Sequence, residues 1–453
     1  MKRIFILLSC AAALLFGGCG KESPLPKATG KASIRAINAV MTSQEINFLI
    51  EERNIGSAAY SEATASARYD DLDYTFNFEV FYAGDTAFRR IASQFIDFEA
   101  NKDYTLLVSG ALANPTVTLW VGDERTFAET DTVFEARFTH ALESRGALDY
   151  YFDDPAIAPA LGNQAATLSF GEISAPIDFA GGDFVLTITT AGNPDDVVYV
   201  SDTTAIAARG AFIFVPLDGD TGTTAPVILR TINTAGSSSS LPDPRFPPTV
   251  QFINASIDLG TSDIYDDELL TSASRLVDDH AYLDVSDELE IAAAANTFYY
   301  TPGEATTAVT LETTLAAFNG SRYRIVAAGV ADAFFAIPLL PDRRPVATFA
   351  KLVLLQVSNN FDLVNVYAVE AGTGIDDANP VSFGLPTGQS PAPVALPAGS
   401  YDIYITELTE VVPLAGPYRL DLVLGDVVDF IIVDTVGDPT VLDVLFLSGG
   451  PTP

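Results

Sequence analysis

Apolar and polar residues alternate with a period of two in many short segments of the chain. In TFNFEVFYAG, Phe76, Phe78 and Val80 point to one side while Asn77 and Glu79 point to the other. Side chains of a β-strand alternate between the two faces of a sheet, so this pattern predicts half-buried strands. Ala-Gly, Asn-Pro and Asp-Gly pairs supply turns between these segments. Helical periodicity is weak everywhere, and we therefore predict an all-β protein.

The predicted strands recur in four copies along the chain. IRAINAV from 34, ARFTHAL from 136, VQFINAS from 250 and LVLLQVS from 352 superpose with offsets of 102, 114 and 102. The same offsets relate INFLI from 46, LDYYF from 148, SDIYD from 262 and VNVYA from 364. A later strand carries an aromatic marker in each copy, namely Tyr104, Phe212, Tyr323 and Phe430. A shared set of offsets indicates repeated structural units.

Each copy has about 100 residues and roughly seven short strands, which favours an antiparallel β-sandwich of the immunoglobulin-like type. We predict four tandem sandwiches, and a Ser/Pro-rich linker over 235–247 that acts as a hinge between two pairs. The predicted repeats span 32–127, 132–234, 248–343 and 347–449.

The first 19 residues have the three-part layout of a secretion signal. Lys2 and Arg3 precede an apolar stretch, which runs to Phe16 and is followed by two glycines and Cys19. This layout resembles a bacterial lipoprotein signal, with residues 1–18 removed and Cys19 lipidated. Cleavage before Cys10 is the alternative, because Leu7-Leu8-Ser9-Cys10 matches the usual letters better but leaves a shorter apolar core. A secreted protein with an incidental cysteine is a third interpretation.

Lipidation at Cys19 predicts a membrane anchor, because each buried methylene of an acyl chain adds about 0.8 kcal/mol. Residues 19–31 are mostly small and polar, a composition that predicts a flexible tether. Gly20, in place of Asp, resembles the outer-membrane sorting pattern of Gram-negative lipoproteins. We predict an outer-membrane lipoprotein that faces the periplasm or the cell exterior. Both cysteines lie in the signal, so no disulfide is predicted.

The third repeat carries the motifs Asn254-Ala255-Ser256 and Asp263-Ile264-Tyr265. These motifs resemble the bacterial extracellular family catalogued as domain of unknown function 4397. The resemblance implies a β-sandwich on secreted or lipid-anchored proteins, often in tandem and without an established activity. The fourth repeat departs from the pattern, with Gln356-Val357-Ser358 and Asn365.

The net charge limits the possible partners. The chain has 24 Lys and Arg against 59 Asp and Glu, a formal net charge of −35. Such an excess repels phosphate backbones and anionic headgroups, so we predict no nucleic-acid partner and no electrostatic membrane binding. The predicted contact with the membrane is the lipid anchor, and a protein or glycan partner is left open.

Only two histidines are present, His140 and His280. His140 shares a repeat column with Asn38, Asn254 and Gln356, and all three side-chain types both donate and accept hydrogen bonds. The column therefore predicts a structural hydrogen bond at a strand end. The sequence has no usual zinc-ligand set, no G-x-S-x-G elbow and no phosphate loop. We predict a non-catalytic binding, adhesion or spacer protein with no cofactor.

A second polar column contains Asn47, Asp149, Asp263 and Asn365. We interpret it as a position that hydrogen-bonds a neighbouring loop, rather than as a row of ligand-binding residues. Acidic groups follow it, and carboxylates collected at a junction could bind Ca²⁺ and stiffen the protein. Turn capping is the competing explanation. These acidic groups are Glu51-Glu52, Asp153-Asp154, Asp266-Asp267, Asp376-Asp377, Asp70-Asp71 with Asp73, Asp195-Asp196, Asp218 with Asp220, and Asp278-Asp279.

A carbohydrate-binding adhesin is the other alternative, because exposed aromatic rings form sugar-binding platforms. The candidate rings are Phe298, Tyr299 and Tyr300, which precede a turn, and Trp120, the single tryptophan. Alternating burial along a strand would hide at least one ring of the first group.

Overall fold

A computed structural model describes residues 26–303 and 308–448 of the chain. Within these ranges the chain forms 34 β-strands and no helix, so none of these residues builds a helix able to cross a membrane. The predicted signal peptide 1–18, Cys19 and the first part of the predicted tether lie outside the described residues.

The first and third modules contain eight strands each, arranged in two four-stranded sheets. The first module has the sheets β4-β1-β7-β8 and β3-β2-β5-β6, built from β1 (Lys31–Ala39), β2 (Glu45–Ile50), β3 (Arg53–Ala59), β4 (Ala67–Asp70), β5 (Asp73–Val80), β6 (Arg89–Asp97), β7 (Lys102–Ser109) and β8 (Thr116–Asp123). The third has β22-β19-β25-β26 and β21-β20-β23-β24, built from β19 (Thr249–Asn254), β20 (Ser262–Tyr265), β21 (Arg275–His280), β22 (Leu289–Glu290), β23 (Ala295–Pro302), β24 (Leu311–Ala316), β25 (Arg322–Val330) and β26 (Ala333–Leu339).

The second and fourth modules repeat this plan, and the second has two additional strands. Its sheets are β12-β9-β16-β17-β18 and β11-β10-β13-β14, with β15 paired to β13, built from β9 (Val133–Phe138), β10 (Leu148–Asp153), β11 (Ala166–Leu168), β12 (Ile177–Ala180), β13 (Gly182–Thr190), β14 (Val197–Val200), β15 (Thr204–Ile206), β16 (Ala211–Asp218), β17 (Val227–Asn233) and β18 (Ser238–Leu241). The fourth has β30-β27-β33-β34 and β29-β28-β31-β32, built from β27 (Ala350–Gln356), β28 (Leu363–Glu370), β29 (Ser382–Pro386), β30 (Val394–Leu396), β31 (Gly399–Glu407), β32 (Pro413–Leu422), β33 (Val427–Thr435) and β34 (Asp438–Ser448).

The predicted class of tandem all-β sandwiches is confirmed, with one refinement. In each module the first strand pairs in parallel with a late strand, as β1 does with β7 and β27 with β33, while the other named strand pairs are antiparallel. A parallel pair needs a long crossover, and here the second sheet supplies it. We call the sheet with the parallel pair the interface sheet and the other the outer sheet.

Strand register corrects the marker of the fourth copy. Tyr104, Phe212 and Tyr323 lie opposite Ile34, Ala136 and Val250. The equivalent residue Leu352 lies opposite Val428, so Val428 and not Phe430 occupies this column. Phe430 is two residues further along the same face, where apolar character alone could not distinguish the positions.

Each sandwich buries its own apolar core between its two sheets. In the first module Ile34, Phe48, Phe76 and Phe78 are among the core residues, as the alternating pattern predicts. The other three modules have separate clusters of the same kind, centred on Phe134 and Phe152, on Phe252 and Phe298, and on Phe430 and Ile403.

The interface sheets of neighbouring modules pack face to face. Between the first and second modules, Ile37, Leu107 and Trp120 pack against Ile213 and Val215. Between the third and fourth, a second cluster joins Ile253, Val326, Leu355, Ile431 and Val433. Both faces of these sheets are therefore buried, and the chain consists of two pairs of modules.

An equivalent tyrosine hydrogen bond joins the two modules in each pair. The Tyr60 hydroxyl donates a hydrogen bond to the Asp218 carbonyl at 2.5 Å, from the first module to the second. The Tyr282 hydroxyl makes the corresponding bond to the Asp434 carbonyl at 2.5 Å, from the third to the fourth. The repeating unit of packing is therefore the pair as well as the single sandwich.

Residues 235–247, predicted as a flexible linker, are held against the second module. They include β18, which pairs with β17, and the buried Asp243 carboxylate accepts a hydrogen bond from the Val200 amide. Arg245 pairs with Asp243 and donates to the Val197 and Val198 carbonyls. The serines form an edge strand that pairs with β17. This pairing provides hydrogen bonds for their backbone N–H and C=O groups, although the segment itself is polar.

A further contact joins the two pairs of modules. The Arg344 guanidinium, in the connection between the third and fourth modules, donates to the carbonyls of Met41 and Ser43 in the first. Its Nε lies 3.7 Å from Asp220 of the second module. The Ala347 amide donates to the Thr42 carbonyl beside it. All four modules therefore meet around this short connection.

Candidate functional site

The His/Asn/Gln column makes the structural hydrogen bonds that the sequence predicts. Asn38, Asn254 and Gln356 each accept a hydrogen bond from the backbone amide two residues later. Asn254 and Gln356 donate to the loop carbonyls of Gly260 and Phe361, and Asn38 donates to Ser43 Oγ in the loop and to the Ala58 carbonyl in β3. His140 does the same, because its Nδ1 accepts from the Leu142 amide and its Nε2 lies 2.7 Å from the Gly146 carbonyl. These four side chains fix the turn after the first strand of each module.

Burial favours the neutral form of both histidines. Desolvation lowers the pKa of His140 and of His280 below the usual value, because water no longer stabilises the imidazolium. His140 also needs its neutral form for geometry, since Nδ1 accepts one hydrogen bond while Nε2–H donates the other. The nitrogens of His140 are thus used by the fold.

We expect His140→Asn to reduce the dependence of thermal stability on pH. A folded-state pKa below the unfolded one means that His140 contributes its full stability above the unfolded pKa of about 6.5, and that this contribution is lost as pH falls from that value through the lower folded-state pKa. At about pH 7.5 the variant should lose only about 1 kcal/mol, because Asn can make the same type of bonds. Melting between about pH 7.5 and 5.5 tests this.

The control is His140→Ala, which leaves the Leu142 amide without its acceptor and should cost about 1–3 kcal/mol at neutral pH, and less at acidic pH, where His140 no longer contributes its full stability in the parent chain. An Asn variant with the same melting-temperature slope as the parent chain would contradict the assignment.

The second polar column also holds loops in place. Asp149 accepts hydrogen bonds from Thr167 Oγ1 and the Gly192 amide. Asn365 donates to the carbonyls of Glu407, at the end of β31, and of Leu408 in the loop that follows, and accepts from the Gly384 amide of β29. The interpretation as a loop-binding position therefore holds in the second and fourth modules.

In the third module this column is part of an acidic cluster. Ligand oxygens of Asp263, Asp278 and Asp279 lie within 4.8 Å of one another, the kind of spacing a metal ion requires. Arg275 already supplies a positive charge there, at 3.2 Å from Asp263 and 2.6 Å from Asp278. The Asp263 carboxylate also accepts from the Asp279 amide. The cluster is thus organised as an ion-pair network around Arg275.

Several of the other acidic groups cap turns. Asp154 accepts from the Ala156 amide, Asp267 from Leu269, and Asp220 from Gly222. Asp71 binds both Thr29 and Gly30 and thereby fixes the end of the predicted tether, and these hydrogen bonds lower its pKa to about 2. Turn capping explains these carboxylates without a metal.

The rings suggested as sugar platforms are mostly buried. Phe298 and Tyr300 are fully buried in the core of the third module, and Tyr299 is half-buried. Trp120 is buried between the first two modules and donates from Nε1 to the Gly171 carbonyl at 2.9 Å. Burial removes three of the four rings from the surface.

A cleft at the interface of the third and fourth modules was missed by the sequence reasoning. Its floor is an ion pair between Arg324 and Asp429, whose side chains are 7% and 5% exposed. Arg324 Nε also donates to Gln251 Oε1 at 3.1 Å. The available sequence signal was a charged residue within an otherwise apolar strand, namely Asp429 in VVDFIIV and Arg324 beside the apolar run IVAAG.

Comparison with known families tests the resemblance seen in the third repeat. Residues 248–367 match the family model described as Domain of unknown function (DUF4397). This segment is a DUF4397-like domain. The DUF4397 match contains both motifs, Asn254-Ala255-Ser256 and Asp263-Ile264-Tyr265, and confirms the resemblance drawn from them. It continues through β27 and into β28 of the fourth module, as far as Tyr367.

No curated protein matches the chain. Among solved structures, the Bacillus anthracis TIE protein is similar at 10% sequence identity and a TM-score of 0.14, with 90% of this chain and 69% of that chain covered. A TM-score this low supports no argument about function.

Proposed function

We propose that the protein is a non-catalytic lipoprotein of the cell envelope, in which paired DUF4397-like sandwiches form a stiff binding, adhesion or spacer body. The observation that carries this proposal is the engagement of the repeated polar columns in loop and turn hydrogen bonds. Residue types that could serve catalysis or ligand binding are here used to hold the fold together.

Stiffness is supported by the packing between modules. Two apolar interfaces, the Tyr60 and Tyr282 hydrogen bonds and the Arg344 contacts connect the modules into one body. Because core-like apolar packing resists relative motion, tandem modules joined in this way keep a fixed arrangement. Such a body is suited to presenting a surface at a constant distance from its anchor.

The proposed attachment to the membrane depends on Cys19. We expect Cys19→Ala to abolish incorporation of a clickable fatty acid and to move the protein from the membrane fraction to the soluble fraction, because the acyl chains would have no acceptor thiol or N-terminal cysteine. Labelling of cells, followed by fractionation and detection of the tagged chain, measures both effects.

Cys10→Ala is the matched control and should retain label, since it removes the cysteine of the alternative cleavage point. Label lost in Cys10→Ala but kept in Cys19→Ala would place the acylated residue at position 10. Absence of label from the unaltered chain would contradict the lipoprotein proposal.

A further inference from the structure

The cleft between the third and fourth modules has a volume of about 350 Å³. Leu355 and Ile431, both buried, form its apolar wall, and the Arg324–Asp429 pair forms its floor. The exposed segment Ser390–Pro393 lines its rim. A concave apolar site with a few polar groups at its base is the usual form of a small-molecule site.

The first pair of modules provides an internal reference for this cleft. Thr105 pairs with Trp120 across β7 and β8, and the corresponding pair across β25 and β26 is Arg324 with Leu339. The register of the parallel strands gives this correspondence, because Thr105 lies opposite Arg35 and Arg324 lies opposite Gln251. Leu339 therefore occupies the position of Trp120.

The fourth module, which faces the third across the cleft, contains a second position where the side chain is smaller than its equivalent in the first pair. The amides of His140 and Gln356, which share one column, donate to the carbonyls of Glu172 and Gln389. The next residues, Ile173 and Ser390, are therefore equivalent. In the second pair a leucine and a serine stand where the first pair has a tryptophan and an isoleucine.

The smaller side chains at these two positions explain why the second pair has a cleft here. In the first pair, Trp120 and Ile173 line both an internal cavity of about 20 Å³ and a shallow surface depression, so they separate the two. In the second pair the smaller Leu339 and Ser390 line one cleft, which runs from the rim to the ion pair. The missing volume is that of a planar aromatic ring together with part of an aliphatic side chain.

We propose that this cleft binds a small planar aromatic molecule of the indole class, whose ring takes the place that Trp120 fills in the first pair. The ring would pack on Leu339, Leu355 and Ile431, where burial of apolar surface provides the affinity. The Arg324 guanidinium, at the floor, favours the face of an aromatic ring. The Asp429 carboxylate has lone pairs beyond the one that Arg324 uses, and these can accept from a ring N–H.

Indole itself is the probe, titrated into the full-length chain in detergent and followed by saturation-transfer NMR and calorimetry. We expect one molecule per chain, and 1-methylindole should bind about tenfold more weakly because it lacks the N–H donor. Leu339→Trp combined with Ser390→Ile should reduce indole affinity at least about tenfold, because the chain's own side chains then fill the cleft as in the first pair.

Phe383→Trp is the matched control, since it adds an indole at a residue that is 73% exposed and lies outside the cleft, and it should leave binding unchanged. If the double variant fails to fold, Ser390→Ile alone provides the smaller change and should still weaken binding. Indole that binds the filled variant as tightly as the parent chain, or that does not bind the parent chain at millimolar concentration, would overturn the proposal.

Discussion

Replacing Asp429 with leucine should destabilise the second pair of modules by about 3–5 kcal/mol, because it leaves the buried Arg324 guanidinium without its opposite charge. Burial alone already acts to lower the pKa of Arg324, and the Asp429 carboxylate is the main group opposing that effect. The melting temperature of that pair should fall by about 10 °C, given the size dependence of unfolding entropy. Calorimetry of the full chain measures the shift.

The matched control replaces both partners with leucine. Two apolar residues leave no buried charge behind, and we expect most of the lost stability to return. Trp120 provides a separate probe, because its fluorescence reports on the interface of the first pair. A single variant as stable as the double variant would show that the ion pair contributes little to holding the third and fourth modules together.

Trp120→Ala should cost about 3–5 kcal/mol in the first pair of modules, which is the usual loss when a buried aromatic side chain is truncated. The change removes a ring that packs against the second module and leaves the Gly171 carbonyl without its indole N–H donor. Circular dichroism during thermal unfolding measures the loss, since the variant no longer has a tryptophan signal.

Two controls separate packing from hydrogen bonding. Trp120→Phe keeps an aromatic ring and loses the donor, so it should cost about 1–3 kcal/mol. Leu339→Ala, at the equivalent position of the second pair, should cost less than Trp120→Ala because Leu339 is partly exposed and borders the cleft. Equal losses for Leu339→Ala and Trp120→Ala would contradict the different roles assigned to this column.

The alternation of apolar and polar residues was sufficient to predict the strands and the hydrogen-bonding columns. Phe76 and Phe78 are in the core as expected, and His140 and Asn254 make equivalent bonds. The face-to-face packing had a weaker signal. The buried run 34–38 of β1 includes Arg35 and Asn38, and the buried run 104–109 of β7 includes Thr105 and Ser109, so polar residues interrupt the continuous apolar pattern typical of sheets that are buried on both sides.

Contacts between distant residues could not be predicted from local patterns. A serine run followed by prolines indicates a flexible linker by composition. In the structure this segment is attached to the second module, because β18 pairs with β17 and Asp243 accepts a hydrogen bond from the Val200 amide, 43 positions earlier in the chain. The Arg324–Asp429 pair joins residues 105 positions apart in the chain. Because opposite charges far apart in sequence have many possible partners, composition and periodicity cannot select this one.

The parallel pairing of β1 with β7 determines how the first module would respond to mechanical force. A pull on the segment before Lys31 acts along β1, and the register from Ser33 opposite Asp103 to Ala39 opposite Ser109 lies along that direction. The hydrogen bonds of this pair would be loaded in shear and share the tension, whereas a strand peeled sideways breaks its bonds one after another. A body tethered at its N-terminus would thus carry load through its first strand without unzipping.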